Sequence, residues 1–200
     1  MRFPTRLTGI LLLASACLLA AAQSRAVDSP PGSLPGPAAT DSRLVTVYLV
    51  RHAEKAKNDP KDPDLTEAGR LRAAELARVL TDEPVTHLFS TPLKRTLDTL
   101  APLVAARDLP IATMMDVQEQ ANALLALPAG SVAVLAGHSN TVPALISALG
   151  GQVADTIEGR AGPQLHDDSH DRLFVALIAP GTHEEPARLL RLLQLRYGEL

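Results

Sequence analysis

A single cysteine, Cys17, stands in the whole chain. Neither a disulfide framework nor a cysteine-built zinc site can therefore form. The His52-Ala53-Glu54 spelling imitates the H-x-E of zinc deaminases, but the partner cysteines of that chemistry are missing. Tryptophan is absent and aromatic residues make up only 2% of the chain, so the core must be built from Leu, Val, Ile and Ala. Such a core suits helices packed on a sheet better than an all-β sandwich. The formal charge of −3 comes without a long basic block, which argues against a nucleic-acid surface.

What is present begins with an address. Arg2 and Arg6 precede an apolar, Ala- and Leu-rich run from Leu7 to Ala22, and a charged start, apolar middle and small-residue end together read as a secretory signal. Cleavage is expected after Ala22 or after Ala26, giving residues 1–26 as signal peptide and an exported protein, periplasmic or secreted, that meets the membrane only transiently. An uncleaved anchor is the competing reading. A lipoprotein reading through Cys17 is weaker, because apolar residues continue beyond it. Residues 27–43 carry Pro30, Pro31, Pro35 and Pro37 and read as a linker. The folded domain is expected over residues 44–200.

That domain is organised around Leu44–Glu54, LVTVYLVRHAE. The run Leu44–Val50 is apolar and rich in β-branched residues, the pattern of a strand buried on both faces of a parallel sheet. It stops at Arg51-His52, and ligands in open α/β sheets sit beyond the carboxyl ends of the strands. Thr66 is expected to cap a helix with Ala73, Leu76, Ala77 and Leu80 on its buried face. Val85–Phe89 reads as a strand, followed by Thr91 as N-cap and Pro92 at the first position of a helix that Pro102 should kink or break. Arg95 falls in that helix's first turn, where the macrodipole disfavours a cation unless an anion shares the site. Leu109–Thr113 is a further strand candidate, and Asp116 with Glu119 resembles a capping box for a helix through Leu127. Ser131–Ala136 is another buried strand. It ends in Gly137-His138, ahead of a helix capped by Asn140 or Thr141 and stopped by Gly150-Gly151. Residues 152–172 read as an irregular loop, Leu173–Ala179 as a buried strand, and Ala187–Tyr197 as an edge strand in preference to a terminal helix.

If these strands are parallel, three strand-to-helix junctions bring Arg51, His52, Arg95 and His138 to one edge of the sheet. Two guanidiniums can grip phosphate oxygens in fixed forks. A neutral imidazole, with an unperturbed pKa of about 6.5, is a competent nucleophile. Attack by His52 on phosphorus gives a phosphohistidine that water then hydrolyses. Arg51, Arg95 and a protonated His138 stabilise charge on the equatorial oxygens, and no metal or other cofactor is required.

VRHAE, LTEAGRLRA, FSTPLKRT and GHSN, in that order between about Val47 and Leu149, resemble the histidine phosphatase superfamily, also called phosphoglycerate-mutase-like. The resemblance implies a three-layer α/β/α sandwich with a mostly parallel central sheet. It implies His52 as the phosphorylated residue and Arg51, Arg95 and His138 as the phosphate pocket, with Asn58 at the place of a pocket asparagine. Ala53 replaces the glycine usual after the catalytic histidine, as in a branch of short phosphatases. The family's general acid has three candidates here, Glu54, Asp116 and Glu119. A weak acid would restrict turnover to good leaving groups such as phosphoramidates.

The substrate is expected to be a phosphorylated small molecule or a phosphorylated component of the cell envelope. No oligomeric state follows from the sequence. One rival is a metal-dependent hydrolase built on His166-Asp167-Asp168-Ser169-His170-Asp171. The other is a phospho-ligand binding protein that keeps the pocket without turnover.

Overall fold

The computed structural model describes residues 43–198. The signal peptide and nearly all of the linker read from the sequence lie outside those residues. The chain runs β1 (Val45–Arg51), α1 (Glu67–Val79), β2 (His87–Ser90), α2 (Lys94–Arg107), β3 (Ile111–Thr113), α3 (Val117–Leu125), β4 (Val132–Gly137), α4 (Thr141–Ala148), β5 (Ile157–Gly159), β6 (Gly162–Gln164), β7 (Arg172–Ala179) and β8 (Arg188–Arg196). Six strands form one sheet in the order β3-β2-β4-β1-β7-β8. The β3-β2, β2-β4 and β4-β1 pairs are parallel, whereas β7 and β8 join antiparallel.

The apolar run of β1 is covered on both faces because its side chains alternate between two cores. Val45, Val47 and Leu49 pack with Leu135 of β4 and with Leu124, Leu145 and Ile146 of α3 and α4. Val50 packs with Val132 and Val134 and with Leu76, Leu100 and Leu103 of α1 and α2. Helices therefore lie on both faces of a mostly parallel sheet, the three-layer α/β/α arrangement expected from the sequence. The strand expected over Ala187–Tyr197 is present as β8, on the outer edge of the sheet.

Local signals explain the boundaries that matter. Thr66 caps α1 by accepting from the Gly69 N–H at 3.0 Å, and Asp116 caps α3 by accepting from the Glu119 N–H at 2.8 Å. Gly150, at φ +91°, follows the end of α4 as the expected stop.

Three expectations need correction. The helix after β2 begins at Lys94 rather than Pro92, and Thr91 is not its cap. The Thr91 hydroxyl is engaged with Thr96 Oγ1 and His138, and the Lys94 N–H is taken instead by Asp62 Oδ1 at 2.9 Å. Pro102 does not break α2, which continues to Arg107; only the single bond that lacks its N–H donor is given up there. The stretch 152–172 holds a short hairpin, β5 against β6.

Candidate active site

Register brings the site together. Arg51 of β1 is paired with Gly137 of β4, and Ser90 of β2 with Ala136. Three neighbouring parallel strands thus end at the same level, and the His52 N–H continues the ladder by donating to the Gly137 carbonyl at 2.9 Å. His52 and His138 consequently leave the sheet side by side, their ring centroids 5.4 Å apart in an edge-on arrangement. Arg95 reaches the same place from the first turn of α2.

His52 is 4% exposed. Its Nδ1 lies 2.8 Å from the carbonyl oxygen of Ala53. A carbonyl can only accept, so Nδ1 carries the proton and Nε2 keeps its lone pair. Burial pushes the His52 pKa down to about 3, against the Ala53 hydrogen bond, and the nearby Arg51, His138 and Arg95 lower it further. The imidazole is therefore neutral throughout the physiological range, with one nitrogen fixed as donor and the other as base or nucleophile.

Arg51 is 5% exposed and spends one nitrogen on structure. Its Nη1 donates to the carbonyls of His166 and Asp167 at 2.8 and 3.0 Å, while its Nε is buried and forms no hydrogen bond. Burial lowers the Arg51 pKa, opposed by Asp167 and Asp168. Arg95 is less committed. Its Nε and Nη1 are both buried without a hydrogen bond, although Nη1 is within ion-pair range of Asp62 Oδ1 at 3.8 Å. Buried guanidinium N–H groups without acceptors are costly, and an oxyanion between Arg95 and Arg51 would supply what they lack.

His138 Nε2 is 3.1 Å from Thr91 Oγ1, and the His138 N–H donates to Thr141 Oγ1 at 2.8 Å. Burial lowers the His138 pKa to about 4, assisted by Arg95 and Arg51. The protonated His138 expected from the sequence is thus neutral near pH 7 in this cationic setting. A doubly negative phosphate beside it would act in the opposite direction.

The carboxylate candidates separate clearly. Glu54 Oε1 is held by Arg72 Nε at 2.8 Å and Nη2 at 2.7 Å. Burial alone would raise the Glu54 carboxyl, but the Arg72 pair holds it below the usual range. Asp116 is occupied as the cap of α3. Glu119, in the first turn of α3, is exposed. Both follow the carboxyl end of β3, on the same edge of the sheet as the histidines but two strands out from β4. Asn58 braces the 58–64 loop, exchanging hydrogen bonds with the Asp64 carboxylate and N–H.

Residues 166–171 do not converge on a metal. His166 pairs with Asp155, Asp171 pairs with Arg196, and the carbonyls of His166 and Asp167 face Arg51. Among the described residues no group of three or more His, Cys, Asp or Glu is placed to hold a metal ion. This stretch borders a separate hollow of about 430 Å³, lined among others by Arg72, Asp155, Asp168, Asp171 and Arg196. The hollow touches none of Arg51, His52, Arg95 and His138 and is separate from the cluster they form.

Two contributors escape motif reading. Thr99 Oγ1 accepts from the Ala53 N–H at 2.9 Å, and His170 Nδ1 donates to the His52 carbonyl at 2.8 Å. His170 arrives because β7 is antiparallel to β1, with Leu173 beside Val50, so the beginning of β7 and not its end lies at the reacting edge. A His-Asp pair just ahead of an apolar strand was the available signal, and it is legible only once that strand's direction is known.

Comparison with known proteins finds similarity in sequence over part of the chain and in fold over most of it. The model of the histidine phosphatase superfamily (branch 1) matches residues 47–125, a span that includes Arg51, His52 and Arg95 and stops before His138. Phosphoserine phosphatase 1 of Hydrogenobacter thermophilus is 38% identical over 74 residues, 34% of this chain and 35% of that protein; the chain thus matches about a third of that relative's length. Among solved structures, the protein histidine phosphatase SixA complexed with tungstate is 17% identical with a TM-score of 0.51, covering 74% of this chain and 96% of that one. YhfR of Bacillus stearothermophilus is 16% identical with a TM-score of 0.53, covering 72% and 95%. These structures share the fold. Over residues 47–125 the chain is similar to the histidine phosphatase superfamily (branch 1), and its fold, continuing through β4 and α4, is the one these solved structures have.

Proposed function

We propose that this protein is a phosphatase that hydrolyses phosphomonoesters or phosphoramidates through a phosphohistidine on His52. The observation that carries the reading is the state of His52: neutral, protonated on Nδ1 by its bond to Ala53, and set among Arg51, Arg95 and His138. The Nε2 lone pair attacks phosphorus, the bond from phosphorus to the leaving group breaks, and the metaphosphate-like oxygens are gripped by the two guanidiniums. Water then attacks the phosphohistidine, the N–P bond breaks, and inorganic phosphate leaves. His138, made more basic by the bound dianion, stabilises the equatorial charge in both steps.

The charges acting on His52 and His138 are cationic, and Glu54 is tied to Arg72. Glu119 is the carboxylate we assign to protonating poor leaving groups. Its exposed place on an outer strand's helix favours substrates whose leaving group needs little help, phosphoramidates among them. The relative from Hydrogenobacter and the SixA structure are named for phosphoserine and for protein histidine phosphatase activity, which fits a phosphorylated small molecule or protein as substrate here. If residues 1–26 act as the secretory signal that the sequence suggests, the protein would meet that substrate outside the cytoplasm.

Turnover of an aryl phosphate by the purified protein, measured beside His52→Ala, tests the reading. Activity lost in His52→Ala supports it. Tight phosphate binding without turnover in the wild type would favour the phospho-ligand binding alternative.

A further inference from the structure

The peptide unit joining His52 to Ala53 is gripped from both sides by residues far away in the chain. Its N–H donates to Thr99 Oγ1 at 2.9 Å, and its carbonyl accepts from His170 Nδ1 at 2.8 Å. Thr99 lies in α2 and donates its own hydroxyl proton to the Arg95 carbonyl at 2.7 Å, so one clamp also spans to the phosphate-gripping turn. Both clamps are buried, Thr99 fully and His170 at 9% exposure.

The peptide plane is rigid, so its tilt sets where the following carbonyl, that of Ala53, can point. That carbonyl accepts the hydrogen bond from His52 Nδ1–H and thereby decides which ring nitrogen is left unprotonated. A buried carbonyl deprived of its donor is costly, and the peptide would turn to find another.

We propose that His170 is a positioning residue for the nucleophile: by holding the His52 carbonyl it keeps the Ala53 carbonyl on Nδ1 of His52 and so reserves Nε2 for attack on phosphorus. The role rests on the phosphatase reading of His52. Two further observations support it. The His170 ring lies 5.7 Å from the His52 ring, near the reacting centre yet turned to the backbone. Burial and Arg51 lower the His170 pKa, so it remains a neutral imidazole whose proton, facing a carbonyl, is fixed on Nδ1.

Replacement by Asn and by Gln separates positioning from simple packing. The Asn amide nitrogen stands near the place of Nδ1 and can still donate to the His52 carbonyl, whereas the Gln amide stands near the place of Nε2 and cannot. Two readouts apply: kcat and KM on an aryl phosphate, and the ¹⁵N shifts of the His52 imidazole. His170→Gln is expected to lose roughly 10²-fold in kcat with KM little changed, the scale of a small misplacement of a reacting group. His170→Asn is expected to recover most of that loss. The His52 ring should be the Nδ1–H tautomer in wild type and His170→Asn, and a mixture in His170→Gln. Equal activity in Asn and Gln variants, or a His52 tautomer untouched by His170→Gln, overturns the proposal. The NMR readout needs no substrate, so it judges His170 even if wild type and His52→Ala prove equally inactive, the result that would sink the phosphatase reading itself.

Discussion

Arg51 and Gly137 are register partners on adjacent parallel strands, and each is followed at once by a histidine. A slip of one residue between β1 and β4 would turn one of the two imidazoles to the other side of the sheet. The pairing is pinned by what the strands bury, since every residue of β4 and six of the seven in β1 are buried. Site geometry and core packing are in this sense a single specification.

The two arginines should fail differently. Arg95→Ala removes buried N–H groups that lack hydrogen bonds. It is expected to cut turnover roughly 10²–10³-fold while leaving thermal stability unchanged or slightly raised. Arg51→Ala should lose activity and also about 1–3 kcal/mol of stability, because it releases the carbonyls of His166 and Asp167. Denaturant melts of the two variants, beside their kinetics, check the contrast. Equal destabilisation would refute the division of labour.

Gly69→Ala should damage the site from a distance. A Cβ at Gly69 would collide with the Glu54 carbonyl oxygen, the same oxygen that accepts from the Thr66 N–H and hydroxyl. The first turn of α1 or the 52–54 backbone must move. The expected cost is about 1–3 kcal/mol, with lower kcat. A Gly69→Ala melt and rate that match wild type would show that the contact yields freely.

The convergence of Arg51, His52, Arg95 and His138 was legible because polar residues sit abruptly at the ends of apolar runs, and parallel pairing of β1, β2 and β4 makes those ends meet. The rest was not legible for identifiable reasons. Thr91 has the sequence of a helix cap, yet its hydroxyl is drawn to Thr96 and His138, and Asp62, some thirty positions earlier, caps Lys94 instead. Glu54 lies two residues after His52 in sequence but is claimed by Arg72, a partner on the next helix that no local pattern announces. His170 read as one of several polar residues in an irregular loop, offered to a metal, because strand direction is a tertiary property. Pro102 shows the opposite failure: a local breaker outweighed by a helix that has the rest of its bonds and a buried face of Thr99, Leu100 and Leu103.

The acid assignment is separable by leaving group. Glu119→Gln is expected to slow alkyl phosphates by about 10-fold or more while sparing aryl phosphates and phosphoramidates. Glu54→Gln should lower stability, because it breaks a largely buried pair with Arg72, without altering the dependence of rate on leaving-group pKa. A leaving-group series that steepens for Glu54→Gln and not for Glu119→Gln would reverse the assignment.

Acid should destabilise the ligand-free protein earlier than its carboxylates alone would cause. His52 and His138 titrate at about 3 and 4 in the fold and near 6.5 when unfolded. Between those values the unfolded chain binds more protons, so stability is complete above pH 6.5 and falls as pH drops toward 4. The melting temperature is expected to decline from pH 7 to pH 5, and His138→Asn should flatten part of that decline. A melting temperature constant over this interval would show that the two imidazoles titrate normally.

The central claim is covalent catalysis by His52, and rapid-quench intact-mass spectrometry addresses it directly, the protein being mixed with a phosphate ester or phosphoramidate that it turns over. The expected result is a transient species heavier by one phosphoryl group, stable to base, labile to acid, mapped to His52 and missing from His52→Ala. Steady turnover with no such species at any quench time, or a label that persists in His52→Ala, would contradict it.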